Sequence, residues 1–129
     1  MAAMKRRRKP ARKRARGVTI RELKAMSRAI VFARDGHKCV VCNRGKADGV
    51  QLQWSHIVGQ KEPRTRFLTE NIVVHCAKHH FAWHTYTIKW VPWWIEKYPE
   101  RNRVVNLVVE FGDIRSKGEW KEYLLEQMP

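Results

Sequence analysis

The first hydrophobic pattern in the chain has the period of a helix. Its apolar side chains recur at helical spacing along one face: Leu23, Met26, Ile30 and Phe32. Thr19 precedes the pattern and Glu22 stands three residues later, which is the spacing of an N-terminal capping box. Asp-Gly at 35–36 supplies a stop signal. We therefore predict a helix over residues 18–35.

The next pattern alternates between apolar and polar residues over 50–57, which is the period of a half-buried strand. Residues 71–75 predict a second short strand, and residues 77–88 predict a helix that starts directly after it. Between the two strands, residues 58–69 contain glycine, proline and several cations, so we expect a surface loop there. The order strand, loop, strand, helix predicts a ββα unit within about residues 37–88.

Aromatic residues dominate the segment that follows. They are Trp90, Trp93, Trp94 and Tyr98. Pro92 suits the first turn of a helix, so we predict a short helix over 92–98. We expect the aromatic rings to form a core that wraps onto the ββα unit, and the alternative is a platform on which bases stack.

The last third of the chain contains one ambiguous segment and one clear helix. Residues 100–111 are rich in valine and suit a buried strand or a helix, and their periodicity leaves both open. Residues 117–127 predict a terminal helix with its large side chains turned inward: Trp120, Tyr123 and Leu124. Residues 89–127 are therefore expected to form a C-terminal helical wrap.

Charge is the most unusual property of the composition. The chain of 129 residues has a formal net charge of +15, and nine of its 27 Lys and Arg residues lie in residues 1–17. We expect a single domain over 18–129 preceded by a basic arm that is disordered by itself. Such a field favours a polyanionic partner, most plausibly nucleic acid tracked by the arm.

The same composition argues against other classes. No apolar run approaches the length of a membrane span, and no signal peptide is visible, so we expect a cytoplasmic protein without a membrane partner. Three cysteines, two of them in a C-x-x-C, fit a reducing compartment and metal binding better than a disulfide framework.

Cysteine and histidine spacing predicts a structural zinc site. Two pairs, each separated by two residues, are Cys39/Cys42 and Cys76/His79, and thiolate and imidazole are preferred ligands of tetrahedral Zn²⁺. His75 and His80 are close enough to compete with His79 for the fourth position. The alternative is a redox-active C-x-x-C with Cys76 as a buried thiol, but no thioredoxin-like βαβ pattern surrounds it.

Three further histidines form a second predicted site. His80 and His84 are four residues apart and project from one face of the predicted helix, which is a common way to hold one divalent ion. His56 stands at the end of the first predicted strand. Phosphodiester hydrolysis needs a base for water and a cation for the phosphate, and imidazole can be the base. The alternative is that each histidine fills the surface or the core.

These motifs together resemble the HNH endonucleases, the ββα-metal nucleases, and especially the small stand-alone HNH proteins of bacteriophages. The similar part covers about residues 37–84. It contains the C-x-x-C, a strand that ends in His56-Ile57, an asparagine that opens the second strand, and Cys-Ala-Lys-His-His at 76–80 with a further histidine four residues on. The resemblance implies an α+β fold: a small ββα-metal unit with a zinc knuckle, flanked by N-terminal and C-terminal helices.

The resemblance also implies a role for each residue. His56 would be the general base, and Asn71 would tie the loop through backbone hydrogen bonds and so orient His56. His80 and His84 would hold a catalytic divalent ion (Mg²⁺, Mn²⁺, Ni²⁺ or Zn²⁺). The family usually has a metal-binding Asp or His at the position of Ser55, and serine is a poor ligand. The implied structural zinc ligands are Cys39, Cys42, Cys76 and His79.

The expected function is metal-dependent hydrolysis of DNA strands, with nicking and double-strand cleavage both open. The candidate phosphate contacts are Lys61, Arg64 and Arg66 on the loop and Arg12 and Arg14 on the arm. The resemblance adds phage packaging or recombination proteins as expected partners, a monomer or weak dimer, and the host cytoplasm as the location. The alternative is a zinc-stabilised DNA- or RNA-binding module without catalysis. A ribosome-associated protein is a third reading, based on composition alone.

Overall fold

The computed structural model describes residues 17–128 and has an α+β architecture, as predicted. Within these residues it contains five helices and one two-stranded sheet. In chain order they are α1 (Ile20–Arg34), β1 (Leu52–His56), β2 (Ile72–Cys76), α2 (Ala77–Thr85), α3 (Thr87–Lys97), α4 (Pro99–Phe111) and α5 (Lys117–Leu125). Two short 3₁₀ turns, Lys46–Asp48 and Thr69–Asn71, precede the two strands. All but the last residue of the predicted basic arm lies outside the described residues.

The first helix begins where its sequence signals place it. The Thr19 hydroxyl accepts a hydrogen bond from the Glu22 backbone N–H at 3.1 Å, which satisfies one of the free donors at the start of α1. The other half of the predicted capping box is replaced by a tertiary contact, because the Glu22 carboxylate pairs with Lys121 of α5 at 2.7 Å. Helix α1 ends at Arg34, next to the predicted Asp-Gly stop.

The two strands form an antiparallel hairpin with a long connecting loop. Leu52 pairs with Cys76 at one end of the register and His56 pairs with Ile72 at the other. One further bond, from the Ile57 N–H to the Asn71 carbonyl at 2.9 Å, closes the hairpin beyond His56. Every residue of β2 is buried, because α1 packs against β2 and α2 follows it without a linker.

The C-terminal wrap is entirely helical within the described residues, and this corrects one prediction. Pro92 was predicted to start a helix, but α3 begins at Thr87 and contains Pro92 in its interior. Proline there removes the bond to the Ile88 carbonyl, and that turn tolerates the loss because it faces solvent, with the Ile88 side chain 92% exposed. Pro99 occupies the first turn of α4, so the ambiguous segment 100–111 is a helix.

Most of the core lies where the hairpin, α1 and the C-terminal helices meet. Its buried members are Leu23, Ile30, Phe67, Leu68, Val73, Trp83, Trp94, Val105, Trp120 and Leu124. The Tyr123 hydroxyl of α5 accepts a hydrogen bond from the Thr69 N–H at 3.0 Å. It also shares a hydrogen bond of 3.0 Å with the Thr69 hydroxyl, in which either oxygen can be the donor. The wrap therefore anchors the turn that leads into β2. None of the helices in residues 17–128 combines the length and apolar character needed to cross a membrane.

Candidate functional site

The four predicted structural ligands converge into one compact group. The Sγ atoms of Cys39, Cys42 and Cys76 and one ring nitrogen of His79 all lie within 4.8 Å of one another. The separations from His79 Nδ1 are 3.2 Å to Cys76 Sγ and 3.6 Å to Cys39 Sγ, and Cys42 Sγ lies 3.9 Å from Cys76 Sγ. Ligands at zinc bond lengths of about 2.0–2.3 Å in a tetrahedron lie about 3.5–3.8 Å apart, so the group fits a structural metal ion such as zinc.

The local fold explains why these residues meet. Cys39 and Cys42 lie on a tight turn, in which the Asn43 N–H donates to the Cys39 carbonyl at 2.8 Å and the Cys39 N–H donates to the Arg44 carbonyl at 2.9 Å. Asn43 takes a left-handed conformation with φ of 59°, which asparagine tolerates better than most residues. A bond from the Val40 N–H to the Val74 carbonyl at 2.9 Å attaches this zinc knuckle to β2.

The structure also identifies the fourth ligand, which the sequence left open. His79 is the third residue of α2 and lies one turn beyond Cys76, the last residue of β2. His75 belongs to the strand and is buried in the interior, with its Nδ1 2.9 Å from Ser55 Oγ. His80 lines a different pocket. The ligand set is therefore three cysteines and His79.

The second predicted group of histidines lines one open pocket, which we call the histidine pocket. It has a volume of about 400 Å³. Its lining residues are Trp54, His56, Gly59, Gln60, Lys61, His80 and His84. The end of β1, the loop between the strands and α2 each contribute residues to it. His56 therefore meets His80, 24 positions further along the chain, and His84, 28 positions further, at one surface.

Backbone contacts fix the state of His56. Its Nε2 lies 2.7 Å from the Arg66 carbonyl, and because a carbonyl only accepts, Nε2 carries the proton. The neutral ring then has its lone pair on Nδ1, which has no hydrogen-bond partner in the described part of the chain. Burial lowers the pKa of His56 to about 4; the carbonyl bond acts in the opposite direction, and the nearby charge of Arg66 adds to the lowering. The ring is therefore neutral at pH 7.

Asn71 makes the backbone ties that were predicted for it. Its Oδ1 accepts from the Val58 N–H at 2.8 Å, and its Nδ2 donates to the carbonyls of Val58 at 2.9 Å and Thr65 at 3.1 Å. The side chain is fully buried. Asn71 thus joins the two ends of the loop, and the Thr65 carbonyl that it holds is one residue from the Arg66 carbonyl that holds His56.

His80 and His84 lie side by side on α2, with ring centroids 4.5 Å apart. Burial lowers the pKa of His80, and the charge of His84 adds to the effect, so His80 favours its neutral, ligating form. Its Nδ1 is buried and has no hydrogen-bond partner among residues 17–128. Such an atom remains to be satisfied by an ion or bound water.

Ser55, which is a poor metal ligand by residue type, does not line the histidine pocket. Consecutive strand residues point to opposite faces, so Ser55 turns away from the side taken by His56. Its hydroxyl is fully buried and bonds to His75 Nδ1 at 2.9 Å. The pair satisfies two polar groups inside the core, where an unpaired hydroxyl would be costly.

The predicted loop cations separate into different environments. Lys61 lines the histidine pocket. Arg64 is tied into the protein, because it donates to the Gly112 carbonyl at 3.1 Å and pairs with Glu62 at 3.2 Å. The Arg66 side chain lies over the Phe67 ring and lines a separate cavity of about 110 Å³ beside Trp120. Arg12 and Arg14 lie outside the described residues.

Two contributions to the site were missed by reasoning from side chains. The Arg66 backbone carbonyl accepts a hydrogen bond from His56, and such a backbone contact cannot be predicted from the type of residue. Trp54 packs edge-on against the His56 ring at 4.3 Å and is held by a bond from its indole N–H to Ser27 Oγ at 3.0 Å. The alternation that placed Trp54 and His56 on one face of the strand is the only sequence signal for this contact.

Comparisons of the chain with protein-family models, with curated proteins and with solved structures found no match.

Proposed function

We propose that the protein is a metal-dependent endonuclease of the HNH type that hydrolyses DNA phosphodiester bonds. One observation carries the proposal: His56, His80 and His84 line one open pocket, and the proton of His56 is held on Nε2 by a backbone carbonyl. His56 is buried, with only 2% of its surface exposed, and lines the pocket beside two potential metal ligands. A base and a site for a cation are the two groups that hydrolysis of a phosphodiester uses.

In this proposal His56 removes a proton from the attacking water. Its Nδ1 accepts the proton while Nε2–H stays bonded to the Arg66 carbonyl, which then stabilises the imidazolium that forms. The low pKa of about 4 keeps the ring unprotonated before the reaction. Asn71 and Trp54 are positioning residues in this scheme, because they hold the loop and the ring but do not touch the reacting atoms.

His80 and His84 are the proposed ligands of a catalytic divalent ion. Two imidazoles on consecutive turns of a helix suit such an ion, and the unpartnered Nδ1 of His80 supports the assignment. When bound, the ion would supply positive charge to the phosphate and to the departing oxygen. Lys61 on the rim is the loop cation that we propose contacts the substrate phosphate.

The structural metal site has a supporting role. Cys76 and His79 flank the start of α2, and His80 is the next residue, so a metal at the knuckle would fix the first turn of the helix that carries the pocket histidines. The net charge of +15 supplies the long-range attraction for DNA.

The decisive experiment is a supercoiled-plasmid nicking assay with Mg²⁺, Mn²⁺ or Ni²⁺, each with and without EDTA. His56→Ala should lower nicking by about 10²–10⁴-fold, the usual contribution of a general base. His37→Asn is the matched control, because His37 is an exposed histidine outside the pocket and asparagine tolerates its left-handed φ of 55°. If His56→Ala keeps more than about a tenth of the wild-type rate, the assignment of the base is wrong.

A specific observation favours a second candidate, a zinc-stabilised nucleic-acid-binding module without catalysis. Ser55 is buried against His75, so only two protein ligands are proposed for the catalytic ion, and weak metal affinity would leave a binder. The same assay distinguishes the two functions: metal-dependent nicking supports the nuclease. A salt-sensitive mobility shift without cleavage under any of the three metals supports the binder.

A further inference from the structure

A second basic pocket is bordered by the end of α1, the zinc knuckle and the junction of α3 and α4. We call it the Arg101 pocket. It has a volume of about 620 Å³ and shares no lining residue with the histidine pocket. Its charged lining residues are Arg34, Asp35, Lys38, Lys97 and Arg101. The rest of its wall is formed by Gly36, Tyr98 and the knuckle residues Cys39, Val40, Val41 and Asn43.

Four cations in this lining face a single carboxylate, and that carboxylate is already in use. Asp35 accepts two hydrogen bonds from the Arg34 guanidinium, at 2.8 and 3.2 Å, and a third from the Val74 N–H at 2.9 Å. Arg34 also donates to the carbonyls of Thr69 and Ile72. The ion pair of Arg34 with Asp35 is therefore structural, and it leaves the charges of Lys38, Lys97 and Arg101 without a carboxylate in the lining.

Arg101 carries the clearest sign of a missing partner. Its guanidinium stacks 4.3 Å from the Tyr98 ring centroid, yet Nη1 is buried and has no hydrogen-bond partner in the described chain. Burial lowers the pKa of Arg101 and the nearby charge of Arg34 lowers it further, against the opposing effects of Asp35, Tyr98 and Glu70. A guanidinium in this position lacks an oxyanion that could accept from its fork of N–H groups.

We propose that the Arg101 pocket binds a phosphate group, held by Arg101 and Lys38. Lys97, whose ammonium group donates to the Val40 carbonyl, adds positive charge to the wall. The phosphate could belong to a nucleic-acid backbone or be free in solution, since both present the same oxygens. If it belongs to DNA, the protein has a phosphate contact remote from the histidine pocket, which would fix the register of the duplex without reading bases. The proposal does not depend on cleavage at the histidine pocket.

The first test is a titration of zinc-saturated, ¹⁵N-labelled full-length protein with inorganic phosphate, followed through the arginine Nε–Hε signals. We expect the Arg101 signal to shift and saturate, and the Arg103 signal to stay unchanged. Arg103 is an exposed residue of the same helix and does not line the pocket. Arg101→Gln and Lys38→Gln should each weaken phosphate binding at least tenfold, whereas Arg103→Gln should bind like wild type. Lys38 is exposed, so its variant tests the site if loss of Arg101 disturbs folding.

The second test identifies the source of the phosphate. Binding of a fluorescent 20-base-pair duplex is measured by anisotropy at several salt concentrations without added divalent metal. Loss of one backbone contact should reduce the slope of log K against log salt by about 0.9 in Arg101→Gln and in Lys38→Gln. Weaker phosphate binding with an unchanged duplex slope would identify free phosphate as the ligand. The proposal is overturned if wild type does not bind phosphate, or if both pocket variants bind it as Arg103→Gln does.

Discussion

The replacement Asn71→Ala tests the link between the loop and the histidine pocket. It removes three hydrogen bonds of 2.8, 2.9 and 3.1 Å from a side chain that is fully buried. The groups left without partners are the Val58 N–H and the carbonyls of Val58 and Thr65. At about 1–1.5 kcal/mol for each of the three bonds, the free energy of unfolding should fall by about 3–4.5 kcal/mol.

The same change should disturb the proposed base. Because Asn71 holds Thr65 and the neighbouring Arg66 carbonyl holds His56, the loop is free to move once the asparagine is gone, and the imidazole loses its fixed orientation. A displacement of about 1 Å at a catalytic group costs about 10²-fold in rate, so nicking by the folded fraction should fall by about that factor.

The loss in the free energy of unfolding of Asn71→Ala is measured by urea unfolding of zinc-saturated protein, followed by tryptophan fluorescence. Asn106→Ala is the matched control, since Asn106 is exposed and, among residues 17–128, its side chain makes only a long hydrogen bond of 3.5 Å to Asn102. It should change the stability by less than about 0.5 kcal/mol. Asn71→Asp keeps the acceptor for Val58 but loses both donors, so it should be destabilised as well. The reasoning is refuted if Asn71→Ala unfolds within about 1 kcal/mol of wild type, or if it nicks DNA within threefold of wild type.

Three further predictions concern the zinc site, the pocket and the C-terminal wrap. Purified protein should contain one zinc per chain by elemental analysis. Cys39→Ser should be insoluble or unfolded, because binding of structural zinc supplies on the order of 10 kcal/mol of free energy in small domains. A folded, zinc-free Cys39→Ser protein would contradict this. His84→Ala should keep the wild-type circular dichroism and zinc content but nick weakly and require more divalent metal; unchanged nicking would remove His84 from the proposed ligands. Tyr123→Phe should lower stability by about 1–2 kcal/mol, because it leaves the Thr69 N–H unpaired. Burial raises the pKa of Tyr123 above its ordinary value, so its contribution is complete below about pH 10 and is lost as the pH rises further. Wild type should therefore lose more stability than Tyr123→Phe between pH 10 and 11, and parallel losses would contradict the assignment.

Local signals predicted the elements well where they act within a few residues. Thr19 caps α1 through its own hydroxyl, and Ser116 caps α5 in a reciprocal capping box with Glu119. Pro92 misled because the same ring geometry suits the first turn of a helix and is tolerated on a solvent-facing turn of its interior. The secondary structure of the valine-rich segment 100–111 could not be predicted from its own residues. The segment is a helix that packs against the Thr69–Asn71 turn, which is a contact between distant parts of the chain.

The candidate site was predictable to the level of which side chains meet, but not how they are held. Spacing placed Cys39, Cys42 and Cys76 together, while the choice among His75, His79 and His80 depended on β2 ending at Cys76. The boundary between strand and helix sets where each ring points, and sequence patterns locate boundaries only to within a few residues. Likewise, the hydrogen bond from His56 to the Arg66 carbonyl could not be predicted, because every residue type has the same backbone carbonyl.

One consequence follows from two neighbours on α2. His79 faces the metal-binding cysteines and His80, the next residue, faces the histidine pocket, with about 100° of helical rotation between them. Any turn or slide of this helix that moved His79 relative to the cysteines would also move His80 in the histidine pocket. If both groups hold ions as we propose, neither can be adjusted by moving the helix, so adaptation to a new ion has to come from side-chain replacement or from the loop. An engineer who wishes to alter metal preference should therefore leave the first turn of α2 untouched and work from the opposite wall.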